Sequence, residues 1–173
     1  MSLAVNSHHK SVLLAMSGGV DSSVAAALLL EAGYEVTGVF MCLGRAGDAS
    51  GAGRGCCSPE DAADARRVAQ ALGIDLYVLD LAEAFEAIID HFAAEYTRGR
   101  TPNPCILCNT RIKFGRLIER ADSLGMDFVA TGHHARIADC ADGPAIFRGR
   151  ATGKDQSYAL FGVARENLSL IHI

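Results

Sequence analysis

Short apolar runs alternate along the chain with longer stretches of helical spacing. Ser11–Met16 and Glu35–Met41 read as buried strands. Between them Ser22–Ala32 is rich in Ala and Leu, and Gly33 stands where a helix would end. Ser58-Pro59-Glu60-Asp61 predicts a second helix start, with a cap serine, a proline at the first position and acids in the first turn. That helix should end near Leu72-Gly73. Asp75–Asp80 predicts a third strand. Ala82–Tyr96 predicts a third helix with Phe85, Ile88, Ile89 and Phe92 on one face. Arg98–Pro104 reads as a turn-forming linker, Leu107–Leu124 as one further helix and Phe128–Thr131 as the next strand. Cys140 falls in an expected hairpin. Such alternation predicts an α/β fold, a doubly wound parallel sheet with helices on both faces. Ligands then bind beyond the carboxyl ends of the strands.

Composition narrows the class. The 173 residues are half hydrophobic, enough for the core of one α/β domain, and carry a net charge of −4. No apolar run approaches the ~18 residues of a membrane span. Met1–Lys10 is polar, without the apolar centre of a secretory leader. A cytoplasmic location with no membrane partner is therefore expected, and the six cysteines are expected to be reduced thiols serving chemistry or metal. Residues 1–10, with His8 and His9, predict a disordered tail. The glycine-rich stretch Cys42–Cys57 lacks an apolar period and predicts a mobile loop; Cys56 and Cys57 at its end read as incidental thiols. Charge is uneven. Glu60–Glu95 holds nine acids and two arginines, whereas Arg98–Arg120 holds six basic residues and one acid. A basic stripe of this kind suits a polyanion.

The turn Ser17-Gly18-Gly19-Val20-Asp21-Ser22 joins the first strand to the first helix. Gly18 and Gly19 let backbone N–H groups approach a ligand, and the helix directs its positive end to the same place. Ser17 and Ser22 can donate to phosphate oxygens. Asp21 would repel a bare phosphate and is expected to hold a Mg²⁺ that bridges phosphates. The turn has no lysine and is not a Walker A loop. It resembles the PP-loop of ATP pyrophosphatases, which split ATP between the α and β phosphates and adenylate an oxygen. That resemblance implies a Rossmann-like domain of the adenine nucleotide alpha hydrolase kind.

A second constellation is Thr101-Pro102-Asn103-Pro104-Cys105-Ile106-Leu107-Cys108-Asn109. The cysteines fall at i and i+3 near a helix start, with Arg111 and Lys113 close by, a setting for a nucleophilic thiol. Taken alone, Cys-x-x-Cys also fits a redox pair, half of a zinc or iron–sulfur site, or two small buried hydrophobes. No second Cys-x-x-Cys or His-x-x-x-His accompanies it, which argues against a closed zinc site.

Thr-Pro-Asn-Pro-x-x-x-Cys-Asn followed by Arg111-Ile112-Lys113-Phe114-Gly115 is similar to the signature of the tRNA-specific 2-thiouridylases, themselves PP-loop enzymes. Ala130-Thr131-Gly132-His133-His134 resembles their Ala-Thr-Gly-His-Tyr segment, with His134 in place of tyrosine. Lys154-Asp155-Gln156-Ser157-Tyr158 matches a further block. The resemblance runs from about Ser11 to Val163 and implies a function: ATP adenylates the C2 oxygen of the wobble uridine of tRNA, and a cysteine persulfide, loaded by a sulfur-relay protein, delivers sulfur. By the same resemblance Cys108 is the catalytic cysteine, and Ala15, Met16, Ser17, Gly18, Gly19, Val20, Asp21 and Ser22, with Met41 and Gly132, bind ATP. Asn103, Pro104 and Cys105 would meet the target base, and Lys154, Asp155 and Gln156 the tRNA. The bare residues leave His133 and His134 open between nucleotide contacts and satisfied loop histidines.

Two departures qualify the match. Some members carry aspartate, with a general acid/base role, where this chain has Cys105. Cys105 is then a spare thiol, or joins Cys108 on an iron–sulfur cluster; the persulfide route is the favoured one. The family also needs a second cysteine and further tRNA-gripping domains downstream, which the sequence does not contain. Residues 1–163 are expected to be the catalytic domain. Residues 164–173 are expected to be a truncated end in which Ser169-Leu170-Ile171-His172-Ile173 is not native. A chain so built should bind ATP and turn over poorly. The runner-up reading is another PP-loop enzyme, an iron–sulfur-dependent tRNA thiolase or a small-molecule ligase or amidotransferase; a third is a non-catalytic nucleotide- or RNA-binding module.

Overall fold

The computed structural model describes residues 10–44 and 58–172. The expected N-terminal tail with His8 and His9, and most of the expected loop with Cys56 and Cys57, lie outside the described residues. Strand β1 (Ser11–Ala15) is the centre of the sheet, and its Val12, Leu13 and Leu14 are fully buried, as a strand covered on both faces requires. Helix α1 (Val20–Glu31), strand β2 (Glu35–Cys42), helix α2 (Pro59–Leu72), strand β3 (Leu76–Asp80) and helix α3 (Ala82–Thr97) follow. Helix α2 opens on a reciprocal cap. The Asp61 N–H donates to Ser58 Oγ at 3.1 Å, and the Ser58 N–H donates to Asp61 Oδ2 at 2.9 Å. Gly73 takes a φ of 70° directly after it, where a Cβ would be opposed.

The chain then passes to the other side of β1. Helix α4 (Pro104–Leu107), a π-helical segment (Cys108–Phe114) and helix α5 (Gly115–Leu124) lead into strand β4 (Phe128–Ala130). Strands β5 (Ala135–Cys140) and β6 (Gly143–Arg148) form an antiparallel hairpin. Three 3-10 turns, Thr152–Lys154, Ser157–Leu160 and Arg165–Leu170, precede strand β7 (Ile171–His172). The large sheet runs β3-β2-β1-β4-β7 with every pairing parallel. The order reverses at β1, which opens a crevice at the carboxyl ends of β1 and β4.

Each face of the sheet has its own core, set by the two-residue alternation of β1. Val12, Leu14 and Met16 pack with Ala26, Leu29 and Ala65 of α1 and α2. Leu13 packs with Phe114, Leu117 and Ala121 from the π-helical segment and α5. Leu168 joins this second core, and Ile171 and His172 pair with Val129 and Ala130, so the last residues are held against the sheet.

One expected element changes form. The single helix read over Leu107–Leu124 is α-helical at both ends and π-helical between them. Its middle buries a polar side chain, Asn109, beside Cys108, Ile112 and Phe114. Asn109 Nδ2 donates to the Ala159 carbonyl at 3.2 Å, a contact 50 residues away in sequence. Wide turns of this kind are rare within α-helices and are frequent at functional sites.

Candidate nucleotide and thiol site

The turn after β1 is built to a steric specification. Gly18 has a φ of 78°, and a Cβ there would lie 2.3 Å from the Asp61 carbonyl oxygen. A Cβ on Gly132, beyond β4, would lie 2.8 Å from the Ser22 nitrogen. Glycine therefore lets α2 close on one side of the turn and the β4 loop on the other. The close approach that Gly18 permits is to α2, rather than to the cavity. Two hydroxyls knit the turn. Ser22 Oγ donates to the Gly19 carbonyl at 3.1 Å, accepts the Ser17 N–H at 3.2 Å and lies 3.3 Å from Ser17 Oγ. Gly19 has no side chain to cap α1, so the first-turn N–H groups keep their ligand-binding capacity.

These elements enclose a cavity of about 310 Å³. Of the residues predicted to bind ATP, Ala15, Met16, Ser17, Asp21, Ser22, Met41 and Gly132 line it. Gly18 and Val20 instead face a shallow groove against Asp64, Arg67 and Val68 of α2. Phe40, Met41 and Leu43 give the cavity apolar lining, and Ser17, Asp21, Ser22 and Thr131 give it polar lining. That combination suits a base and a polyphosphate. Asp21, half exposed beside two hydroxyls, presents the hard oxygen donors that Mg²⁺ prefers. Among the described residues no three His, Cys, Asp or Glu side chains converge as a ready-made metal site.

Sequence reasoning did not place four other polar lining residues in the cavity: Lys113 and Thr131 were given no role there, His133 was left open and Gln156 was expected to meet the tRNA. His133 Nδ1 lies 2.8 Å from Thr131 Oγ1, and its ring packs 5.9 Å from that of Phe114. Burial lowers its pKa to about 4, with smaller pushes from Lys113 and His134, so it is neutral at pH 7. His134 Nε2 is 3.3 Å from Asp21 Oδ1. Gln156 clamps this loop: the His134 N–H donates to Gln156 Oε1 at 2.9 Å, and the Gln156 N–H donates to the His134 carbonyl at 2.9 Å. Asp155 is committed locally. It accepts the Gly149 N–H at 2.8 Å and both the N–H and hydroxyl of Ser157, and these bonds hold its pKa below the usual carboxylate value. Lys154 is exposed.

The thiols sit on the neighbouring segment. Asn103 caps α4, its Oδ1 accepting the Cys105 N–H at 3.0 Å. Cys105 is exposed, whereas Cys108 is buried with Leu43, Ile88 and Ile112. Leu43 belongs to both this cluster and the cavity lining, so the packing around Cys108 is continuous with the cavity wall. The basic stripe is partly neutralised. Arg98 and Arg100 both bind Glu95, whose pKa falls to about 2 chiefly through its bond to Arg100, and Arg116 binds Glu119 at 2.8 Å.

Comparison with known proteins agrees with this geometry. The family described as tRNA methyl transferase HUP domain matches residues 10–173. The tRNA-specific 2-thiouridylase MnmA of Rhodopirellula baltica is 50% identical over 91% of this chain and 47% of its own length. That of Salinispora tropica is 54% identical over 91% of this chain and 44% of its own. The chain thus spans under half the length of these curated relatives. Among solved structures, a glutamine-dependent NAD⁺ synthetase from Acinetobacter baumannii in complex with ADP shares the fold. Its TM-score is 0.50 at 19% identity, covering 71% of this chain and 21% of the other. With its parallel sheet, its glycine turn at the switch point and a match over nearly all its residues, the chain belongs to the tRNA methyl transferase HUP domain family, among relatives that carry the name tRNA-specific 2-thiouridylase.

Proposed function

We propose that this chain is the ATP-binding and thiol-bearing part of an enzyme that replaces the C2 oxygen of the wobble uridine of tRNA with sulfur. The observation that carries the reading is the juxtaposition at β1 and β4: a cavity lined by both apolar and polar groups shares Leu43 with the cluster that buries the Cys108 thiol. The chemistry follows from those two parts. The uridine O2 attacks the α-phosphorus of ATP, the new P–O bond replaces the bond to the β-phosphate, and pyrophosphate leaves with its electron pair. The outer sulfur of a persulfide on Cys108 then attacks C2, and the C–O bond breaks to release AMP. A second thiol, supplied by the full-length enzyme, attacks Cys108 Sγ, so that the S–S bond breaks with its electron pair on the sulfur of 2-thiouridine and a disulfide is left for an external thiol to reduce. Mg²⁺ at Asp21 would screen the phosphates.

Roles divide by placement. Asn103, Pro104 and Cys105, at the start of α4, would meet the target base, and exposed Lys154 would meet the tRNA. Asp155 supports that contact by shaping its turn, and Gln156 links the turn to the cavity. A sulfur-relay protein is the proposed persulfide donor, at a cytoplasmic site. A chain of the relatives' full length carrying this sequence is the material for the test. Supplied with ATP, Mg²⁺, unmodified tRNA and a persulfide donor, it should release pyrophosphate only when tRNA is present and yield 2-thiouridine by nucleoside mass spectrometry. Methylated uridine in its place, or pyrophosphate release without tRNA, would point to a different reaction.

A further inference from the structure

The glycine turn supplies hydroxyls, N–H groups and a carboxylate to the cavity, but no cation. We propose that Lys113 is the phosphate-facing cation of this cavity, brought there by the same π-helical turn that carries Cys108. This rests on the reading that the cavity takes ATP.

Three observations support the assignment. Lys113 lines the same cavity as Ser17, Asp21 and Ser22, near enough to the His133 ring to disfavour its charged form. Among the described residues Lys113 forms no ion pair, unlike Arg98, Arg100 and Arg116. The other basic side chain on the wall, His133, stays neutral at pH 7 because of its burial. A polyphosphate facing Asp21 and two hydroxyls would otherwise meet no fixed positive charge from the lining side chains.

The π-helical turn explains how a residue so placed in sequence reaches the cavity. In an α-helix, positions five apart lie about 140° from one another around the axis. A π-turn closes i to i+5 and brings them back over each other. Cys108 and Lys113 are five apart and lie within this segment. Ile112 enters the cluster behind Leu43 and Phe114 enters the core on β1, which leaves Lys113 between them on the cavity side. The segment returns to α-helix at Gly115, where a Cβ would lie only 3.3 Å from the Thr110 carbonyl. The lysine that a Walker loop carries in its own sequence is supplied here from a distant element.

Calorimetric titration of the chain with ATP–Mg²⁺ and with AMP tests the proposal. Lys113→Met should weaken ATP at least ~10-fold and AMP less than ~3-fold, the scale of a charge-assisted contact to the outer phosphates. Lys113→Arg should restore ATP to within ~3-fold. Wild-type ATP affinity in Lys113→Met overturns the assignment while leaving the cavity reading intact. Equal losses of ATP and AMP overturn it in favour of a packing role. Failure of the wild-type chain to bind either nucleotide overturns the cavity reading and the proposal together.

Discussion

The nucleotide cradle and the thiol segment meet at Leu43 but are built by different rules. The cradle is fixed from both sides. Its turn is held by backbone contacts that tolerate only glycine at Gly18 and Gly132, and its hydroxyls are bonded within the turn. Beyond the local cap by Asn103, the thiol segment is fixed by tertiary packing. Asn109 reaches Ala159, and Cys108 lies among Leu43, Ile88 and Ile112. The cradle is thus fixed by its own backbone contacts, whereas the Cys108 thiol is withdrawn; under the proposed function the thiol must be uncovered before sulfur reaches a base. Preorganisation suits a binding site whose ligand adds charge. Withdrawal suits a thiol that should not react with solvent oxidants between turnovers.

If the two regions are separable, Cys108→Ser should remove thiouridine formation by on the order of 10³-fold or more. ATP affinity should meanwhile stay within ~2-fold, both measured on the full-length protein. A matching loss of ATP binding would merge the regions into one unit.

The cradle should also be sensitive to acid through His133. Its folded pKa of about 4 lies below the ordinary 6.5, so its contribution is complete above pH 6.5 and is lost as pH falls toward 4. The loss amounts to about 3 kcal/mol. Urea unfolding of wild type and His133→Asn from pH 7 to pH 4 should show the variant losing less stability by that amount. Parallel pH profiles would place the ring outside the preformed cradle.

Gly18→Ala should cost about 2 kcal/mol or more, because the added Cβ meets the Asp61 backbone at a positive φ. Equilibrium unfolding reads this directly, and an unchanged midpoint would show the turn to be pliable.

The smallest effect sharpens the other half of the contrast. Alkylation followed by peptide mass spectrometry should modify exposed Cys105 roughly 10-fold faster than buried Cys108. Equal rates would mean that Cys108 is already open.

How much was legible in the sequence follows the same division. Strands β1 to β4, helices α1 to α3, the β5–β6 hairpin and the cap of α2 were readable because short-range spacing, Gly and Ser-Pro signals set them, whereas β7 was not, since its two residues join the sheet only through long-range pairing with β4. The cavity residues of the glycine turn were readable for the same reason. Lys113, Thr131 and Gln156 were not assigned to the cavity, since each arrives from a different element through a long-range contact. His133 was left open for a like reason, because only burial against Phe114 and the Thr131 hydroxyl decides its state. The basic stripe was overestimated. Charge counted along a chain does not show that Glu95 folds back on Arg98 and Arg100.

The sequence by itself determined a parallel α/β sheet, a glycine turn at the end of its first strand and a pair of cysteines opening a later helix. Those features rest on local backbone preference and on the two-fold and 3.6-fold periods of burial. Only the tertiary structure decided that this later helix widens into a π-turn, that Cys108 is buried while Cys105 is exposed, and that a lysine five residues on faces the cavity. A helix's turn width is settled by what its buried side chains must reach, and that destination is not written in neighbouring residues.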